Sequence, residues 1–337
     1  MITSESVKRL AKQLGADLCG IASMDRFEGA PMEQDPRYIF PEAKSCIVLA
    51  FRIPRGYLRG VEEGTFFSVY TSMGYAGINE VFGPVVLREL CCALEDEGYE
   101  TVPLPNIYLR PSVYCDKEEG DPAVSVPVGP GKPAPDVMID MRVAAYAAGL
   151  GEYGWSKVFL TPEFGPLQRF VALLTEAELE PDPIFEGHVC DRCKSCVREC
   201  SGHAISMHES DHIHIAGHDV EYAKIDLKAC SQYYRGADPA YNPFLFHSYN
   251  EDIARSQWFG SPEIETHTGI ETYMRHGSAL EGARGCMREC YVHLEKTGRL
   301  TKKFTSPFRK RPPWKIDREA TKDILVGQKK SNDKTLL

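Results

Sequence analysis

Cys190-Asp-Arg-Cys193-Lys-Ser-Cys196-Val-Arg-Glu-Cys200 is the stretch on which the reading of this chain turns. In the spacing C-x2-C-x2-C-x3-C, three thiolates grip one cubane iron-sulfur cluster and the fourth reaches towards a second. Soft thiolates also take zinc. Structural zinc sites usually pair two short knuckles, however, and three cysteines spaced by two residues suit a cubane corner better. The expectation is an oxygen-sensitive [4Fe-4S] protein suited to anaerobic conditions.

A second cluster needs a companion run, and the corresponding stretch is Ala283-Arg-Gly-Cys286-Met-Arg-Glu-Cys290. Its first ligand position is alanine. With the isolated Cys230, the candidate ligands are Cys190, Cys193, Cys196, Cys200, Cys230, Cys286 and Cys290, one thiolate short of two fully cysteine-bound cubanes. Three outcomes follow: a non-cysteine ligand on one iron, a second cluster with an open iron or three irons, or a single cluster. His188, His203, His208, His212, His214, His218 and His293 are the nearby imidazoles able to fill the gap, although a histidine is more often a surface residue.

Upstream, Gly149-Leu-Gly151-Glu-Tyr-Gly154 matches the dinucleotide pattern G-x-G-x-x-G, which needs a strand before it and a helix after it. Here an Ala-rich helical segment, 141–150, precedes and an extended run, 157–160, follows. Tight backbone packing, or close approach of a cofactor, explains the glycines better. Further out, Val7, Leu10, Ala11 and Leu14 form a helical stripe with Thr3 or Ser4 as its cap and Gly15 at its end. Residues 16–22, 45–51, 101–104 and 169–175 read as strands, and 78–97 as helix broken or restarted at Gly83-Pro84. Segment 116–135 reads as a long surface loop, 212–215 with 220–225 as a hairpin, and 280–294 as a final helix. Alternating helix and strand argues an α/β or α+β body.

At 337 residues and 43% apolar, the chain can build a large core. No stretch has the roughly 20 apolar residues of a membrane span, and the first residues lack a signal-peptide layout, so cytoplasm is expected. Twelve cysteines are not a disulfide framework when seven of them fall in ligand-like spacing. Cys19, Cys46, Cys91, Cys92 and Cys115 sit mostly among apolar residues and read as core. The net charge of −9 is uneven, because the part from Lys296 onward carries +9 and the rest −18. That basic end is expected to be solvated, with nucleic acid, an acidic redox partner or the protein's own body as the other possibilities.

Residues 142–156, then 160–166 and Arg169-Phe-Val, followed by the cysteine run, resemble epoxyqueuosine reductase and its relatives, the reductive dehalogenases. Segments 15–22 and 43–49 are similar to the family's opening strands, so the resemblance spans about residues 1–295. It implies a cobalamin bound without its lower base in a nitroreductase-related α/β domain (1–180), fed by an inserted ferredoxin-like two-cluster module (181–297), with a basic tail beyond (298–337). A ferredoxin or flavodoxin would be the electron donor. The resemblance points to Asp136, Asp140 or Tyr153 as proton donor, a buried carboxyl having a raised pKa, and to Arg142, Gly149, Gly151 and Gly154 as cofactor contacts. Departures are Ser201 and Tyr291 where prolines commonly follow the runs, Ala283 in a ligand position, and the missing helical-repeat extension. With no obvious RNA face, nucleic acid is not expected, and a small molecule or another corrinoid protein is the expected substrate. The competing reading is an electron carrier that has lost the corrinoid.

Overall fold

The computed structural model describes residues 2–106, 126–135, 137–234, 238–243, 283–317 and 319–320. Its centre is a four-stranded sheet in the order β1-β2-β6-β3, formed by Leu18–Ser23, Ser45–Arg52, Gln168–Thr175 and Thr101–Leu104. Every pairing is antiparallel, with Leu18 opposite Ala50, Ser45 opposite Thr175 and Thr101 also opposite Thr175. Of the two classes expected, this is the α+β one.

Because side chains alternate across a strand, each apolar run feeds two cores. Ile47, Leu49, Phe51, Val171 and Leu173 face one layer. Cys46, Val48, Ala50, Phe170, Ala172 and Leu174 face the other. The first layer is covered by α1 (Ser4–Leu14), α3 (Gly83–Asp96) and the last described long helix, α7 (Cys286–Lys296). The second is covered by α4 (Met141–Ala147), the small hairpin β4–β5 (Glu152–Tyr153, Phe159–Leu160) and the long hairpin β7–β8 (Ile205–Ile215, His218–Ile225).

Local signals explain most ends. Thr3 and Ser6 form a reciprocal capping box on α1, and Gly15, at φ 120°, closes it. Gly83 and Pro84 start α3, where proline's missing N–H is harmless, directly after a wide π-type helix, Tyr70–Phe82. A short helix α2 (Arg59–Glu63) ends on Gly64 at φ 69°. Of the expected loop 116–135, only 126–135 lies within the described residues, and Val126 and Val128 there are 73% and 81% exposed.

The expectation of a solvated basic end is corrected for residues 299–316, which strap across the body. Leu300 and Phe308 are buried, Phe308 meets Tyr291 edge-on at 5.6 Å, and Trp314 meets Phe67 at 5.8 Å. The strap's charge is matched by the acidic body it crosses, with Arg309 on Glu62 and Glu289 and Arg311 on Glu63. No helix of the described residues is long and apolar enough to cross a membrane.

Candidate metal centre

The cysteine run enters from residues 181–189 without regular structure and closes into one short turn of helix, α5 (Ser195–Arg198). Arg192 and Lys194 adopt φ of 56° and 60°, a left-handed backbone that costs a non-glycine residue roughly 1 kcal/mol each. The coil turns N–H groups onto sulfur, since Cys190 Sγ takes hydrogen bonds from the backbone of both Trp155 and Arg192. The Trp155 contact is 3.4 Å.

Burial pushes the Cys190 thiol up and the Cys196 thiol to about 11, the latter partly relieved by a hydrogen bond with Ser156. Cys290 lies on α7. Burial raises it well above 9.0, and the negative fields that raise it further come, in order, from Cys190, Cys196, Cys193 and Cys286. The helix that carries Cys290 packs against α5 of the run. Cys190, Cys196 and Cys290, whose thiols burial holds against ionisation, suit a cationic cluster, which takes thiolates and releases their protons.

The remaining candidates are Cys200, Cys230 and Cys286. Cys200 and Cys286 pack against the small core of Trp155, Cys196, Ile205 and Ala223. Cys230, on α6 (Leu227–Tyr234), is raised first by burial and then by the field of Cys200. Cys19 and Cys46 are pushed to about 12 by burial and lie in the central sheet, as core residues should. Cys91 and Cys92 are on α3, and Cys115 lies outside the described residues.

The glycine run is the other wall of this centre. Glu152 Oε1 accepts the N–H groups of Val189 and Cys190 at 2.8 and 2.6 Å, and burial raises its carboxyl against those bonds. Trp155 Nε1 donates to Ser206 O at 2.9 Å, and Lys194 Nζ lies 2.7 Å from the centre of its ring. Neither Glu152 nor Trp155 stood out in the sequence, because a carboxylate's role as acceptor for a distant backbone leaves no spacing signal.

Two of the three glycines lie hard against backbone carbonyls. A Cβ on Gly149, at φ 69°, would lie 2.1 Å from Pro183 O, and one on Gly151 2.0 Å from Leu160 O. A Cβ on Gly154 would press on Leu160 Cδ1 and Val158 O at 3.1 Å. At Gly149 and Gly151 the approaching group is the chain's own backbone, the tight packing that the sequence offered as one reading of the run.

Asp140 caps α4, accepting Arg142 N at 2.9 Å, and pairs with the same guanidinium at 2.7 Å. Burial pushes its carboxyl up, but the Arg142 charge and hydrogen bonds outweigh this and hold it below 3.8. The raised pKa expected of a proton donor is therefore not found at Asp140. Arg142 also sends a positive field to Cys230. Tyr153 is buried, stacked on Tyr222 at 5.9 Å and edge-on to Phe159 at 5.8 Å. Asp136 lies outside the described residues.

Among the described histidines, His188, His203, His208, His212, His214 and His218 are exposed. His293 is the exception. With Asp191 and Cys193 it forms the one group of metal-capable side chains within 4.8 Å among the described residues, its Nε2 2.8 Å from Asp191 Oδ2. It stands beside the first thiol set and away from the gap at Ala283.

No family model matches the chain. The tetrachloroethene reductive dehalogenase of Dehalobacter restrictus is 33% identical over 130 residues, covering 33% of this chain and 23% of that enzyme. The enzyme of the same name from Sulfurospirillum multivorans is 43% identical over 65 residues, or 18% of this chain and 13% of its own. Over these segments the chain is similar to reductive dehalogenases at modest identity. A solved reductive dehalogenase, described as suggesting a mechanism for B12-dependent dehalogenation, shares the fold of this chain at a TM-score of 0.51 and 17% identity. That alignment covers 94% of this chain and 42% of the solved one, so the chain spans less than half the length of the enzymes it matches.

Proposed function

We propose that this chain is an iron-sulfur reductase of the cytoplasm. In this reading it takes electrons from a ferredoxin or flavodoxin, passes them through [4Fe-4S] to a base-off cobalamin, and reduces a small molecule or another corrinoid protein. The sheet body, 1–180, is then the nitroreductase-related corrinoid-binding-type domain, and 181–297 the ferredoxin-like module. The observation that carries the reading is physical contact between the two sequence features that mark the family. Glu152, Trp155 and Ser156 are the partners of Cys190 and Cys196.

The run suits iron-sulfur, its Cys190 and Cys196 sulfurs being largely shielded and met by backbone N–H donors of the kind that tune cluster potential. Cobalamin, when bound, supplies the strongly reducing cobalt. Toward it this chain offers Arg142, fixed by ionised Asp140, and Tyr153 and Asp136 as the proton donors we assign. Tyr146, which burial and then Glu152 push above 10.0, keeps its proton beside Tyr153 at 6.3 Å.

The closed glycine run favours one second reading, an electron carrier without corrinoid. Anaerobic expression with cobalamin, followed by the visible spectrum of the purified chain, separates the two. Corrinoid bands are expected; no bands, and no binding on reconstitution, leave the carrier. Zinc without sulfide would overturn both.

A further inference from the structure

Several cations of this acidic chain converge on the cysteine run, and Asp191 is the hub. Its carboxylate holds His293 Nε2 at 2.8 Å and Arg299 Nε at 3.3 Å, while Arg299 also donates to His188 O at 3.2 Å. The end of α7 and the start of the strap are thereby fastened to the first turn of the run. Lys303 Nζ donates to Gly298 O at 2.8 Å, which folds the strap's first lysines back towards Lys296. Within the run, Arg192 and Lys194 flank Cys193, and both lie over the Trp155 ring, at 5.2 and 2.7 Å from its centre.

Arg192, Lys296, Arg299, Lys302 and Lys303 are exposed, and Lys194 is half-buried. Two of the acids among them are engaged, Asp191 as above and Glu221 in a 2.6 Å pair with Arg192; Glu186 stands exposed two residues before His188. The cations therefore outnumber the acids at this rim, on a chain whose net charge is −9. Solubility alone does not account for the placement. Glycine would meet the left-handed backbone of positions 192 and 194 without cost, and a solubilising charge serves equally well anywhere on the surface. Phe304, next to Lys303, is 43% exposed and supplies the kind of aromatic contact that docking surfaces favour.

We infer that this basic rim is the docking surface of an acidic one-electron carrier protein, whose carboxylates meet Arg192, Lys194, Lys296, Arg299 and Lys303 while its redox centre faces the cysteine run. This deepens the proposed function by placing the donor, and it rests on the iron-sulfur part of that reading alone. One electron passes from the reduced carrier to the cluster, and no atom is transferred. Complementary charge steers the encounter and fixes its orientation more than it adds affinity, so the effect belongs to the rate and to its salt dependence.

Two measurements on the full chain, purified without oxygen, test this with a plant-type [2Fe-2S] ferredoxin as the acidic probe. Carbodiimide coupling joins an amine of one protein directly to a carboxylate of the other, and peptide mass spectrometry should place the links at Lys194, Lys296, Lys302 or Lys303. Stopped-flow bleaching of the chain's visible absorbance by reduced ferredoxin should slow at least about tenfold between about 50 and about 500 mM sodium chloride. It should slow by a similar factor in Lys296→Glu/Lys303→Glu at low salt. Reduced methyl viologen, a small cation, should bleach that variant as fast as the unaltered chain, which separates docking from a changed cluster. Arg9→Glu/Lys12→Glu makes the same charge change at exposed positions of α1 and should leave the ferredoxin rate within about twofold. If the rim variant fails to fold, Lys296→Gln/Lys303→Gln and the salt series serve in its place, and the rate should fall in both.

Links confined to other lysines, or a ferredoxin rate that ignores both salt and the rim variant, would overturn the inference. An equal fall in Arg9→Glu/Lys12→Glu would do the same, by tracing the effect to net charge. Links that join two copies of this chain through the same lysines would give the rim to its own acidic body and overturn it as well, and an equal fall with methyl viologen would place the loss in the cluster and not in docking. Absorbance that neither reductant bleaches, with no iron or sulfide, sinks the proposed function instead, while the links still read the docking surface.

Discussion

The Glu152 carboxylate holds the backbone N–H of Cys190 at 2.6 Å, binding the small β4–β5 hairpin to the first ligand of the cluster run across 38 residues of sequence. The same oxygen takes the N–H of Val189. Glu152→Ala leaves two part-buried donors unmet, so a loss of roughly 1–3 kcal/mol is expected. Glu152→Gln keeps an oxygen at the spot and should lose less. Thermal midpoints, with the rate at which a chelator bleaches the visible absorbance, measure both.

Glu62, Glu289, Arg288 and Arg309 form a buried quartet of balanced charge. Arg288 Nη1 lies 3.1 Å from Glu62, and Arg309 lies 2.8 Å from both Glu62 and Glu289. Removing one partner of a buried pair costs about 3–5 kcal/mol. Arg309→Ala should therefore destabilise the chain far more than Arg311→Ala, whose side chain is 70% exposed. Urea midpoints of the two variants decide it.

Gly149→Ala and Gly151→Ala place a methyl against backbone oxygen, and Gly149 also has a left-handed φ. Each should destabilise by more than the ~1 kcal/mol that a compatible glycine replacement changes stability. Gly129→Ala, where a Cβ meets nothing within 4 Å, should be close to neutral. Soluble yield and denaturant midpoints compare them.

Asp140 sets a pH dependence of definite sign. Its folded pKa lies below the ordinary 3.8, so the stability it contributes is fully present above that value and is lost as pH falls through the folded pKa. Asp140→Asn keeps a good helix cap but loses the ion pair with Arg142. The gap between the two proteins' thermal midpoints should be constant near neutrality and shrink below about pH 4. A gap that widens on acidification would contradict the ion pair.

Much of the framework is legible in the sequence. Thr3 and Gly15 bound the first helix as their side chains predict, and the strands at 45–51 and 169–175 follow from unbroken apolar runs. The candidate ligand set is read from spacing. What spacing could not convey is direction: the apolar runs say nothing of the antiparallel pairing of Ser45 with Thr175. Nor could it separate a glycine that admits a cofactor from one that admits Pro183 O, since both require the same missing Cβ. Asp140 looked like a donor because the sequence shows a carboxylate near a helix start; its cap and ion pair, which fix its charge, are visible only in three dimensions. The basic end looked solvated because counting charges does not reveal that Glu62 and Glu289 are buried under it.

The strap has a consequence for the order in which the protein is made. Every candidate cluster cysteine, Cys190 through Cys290, leaves the ribosome before Arg309. Until Arg309 follows, Glu62 and Glu289 share a single buried counter-charge, Arg288, and the helix carrying Cys286 and Cys290 lacks its outer clamp. The nascent chain thus passes through an interval in which all its thiols exist and the helix is still loosely held, which is the interval in which iron and sulfide have easiest entry.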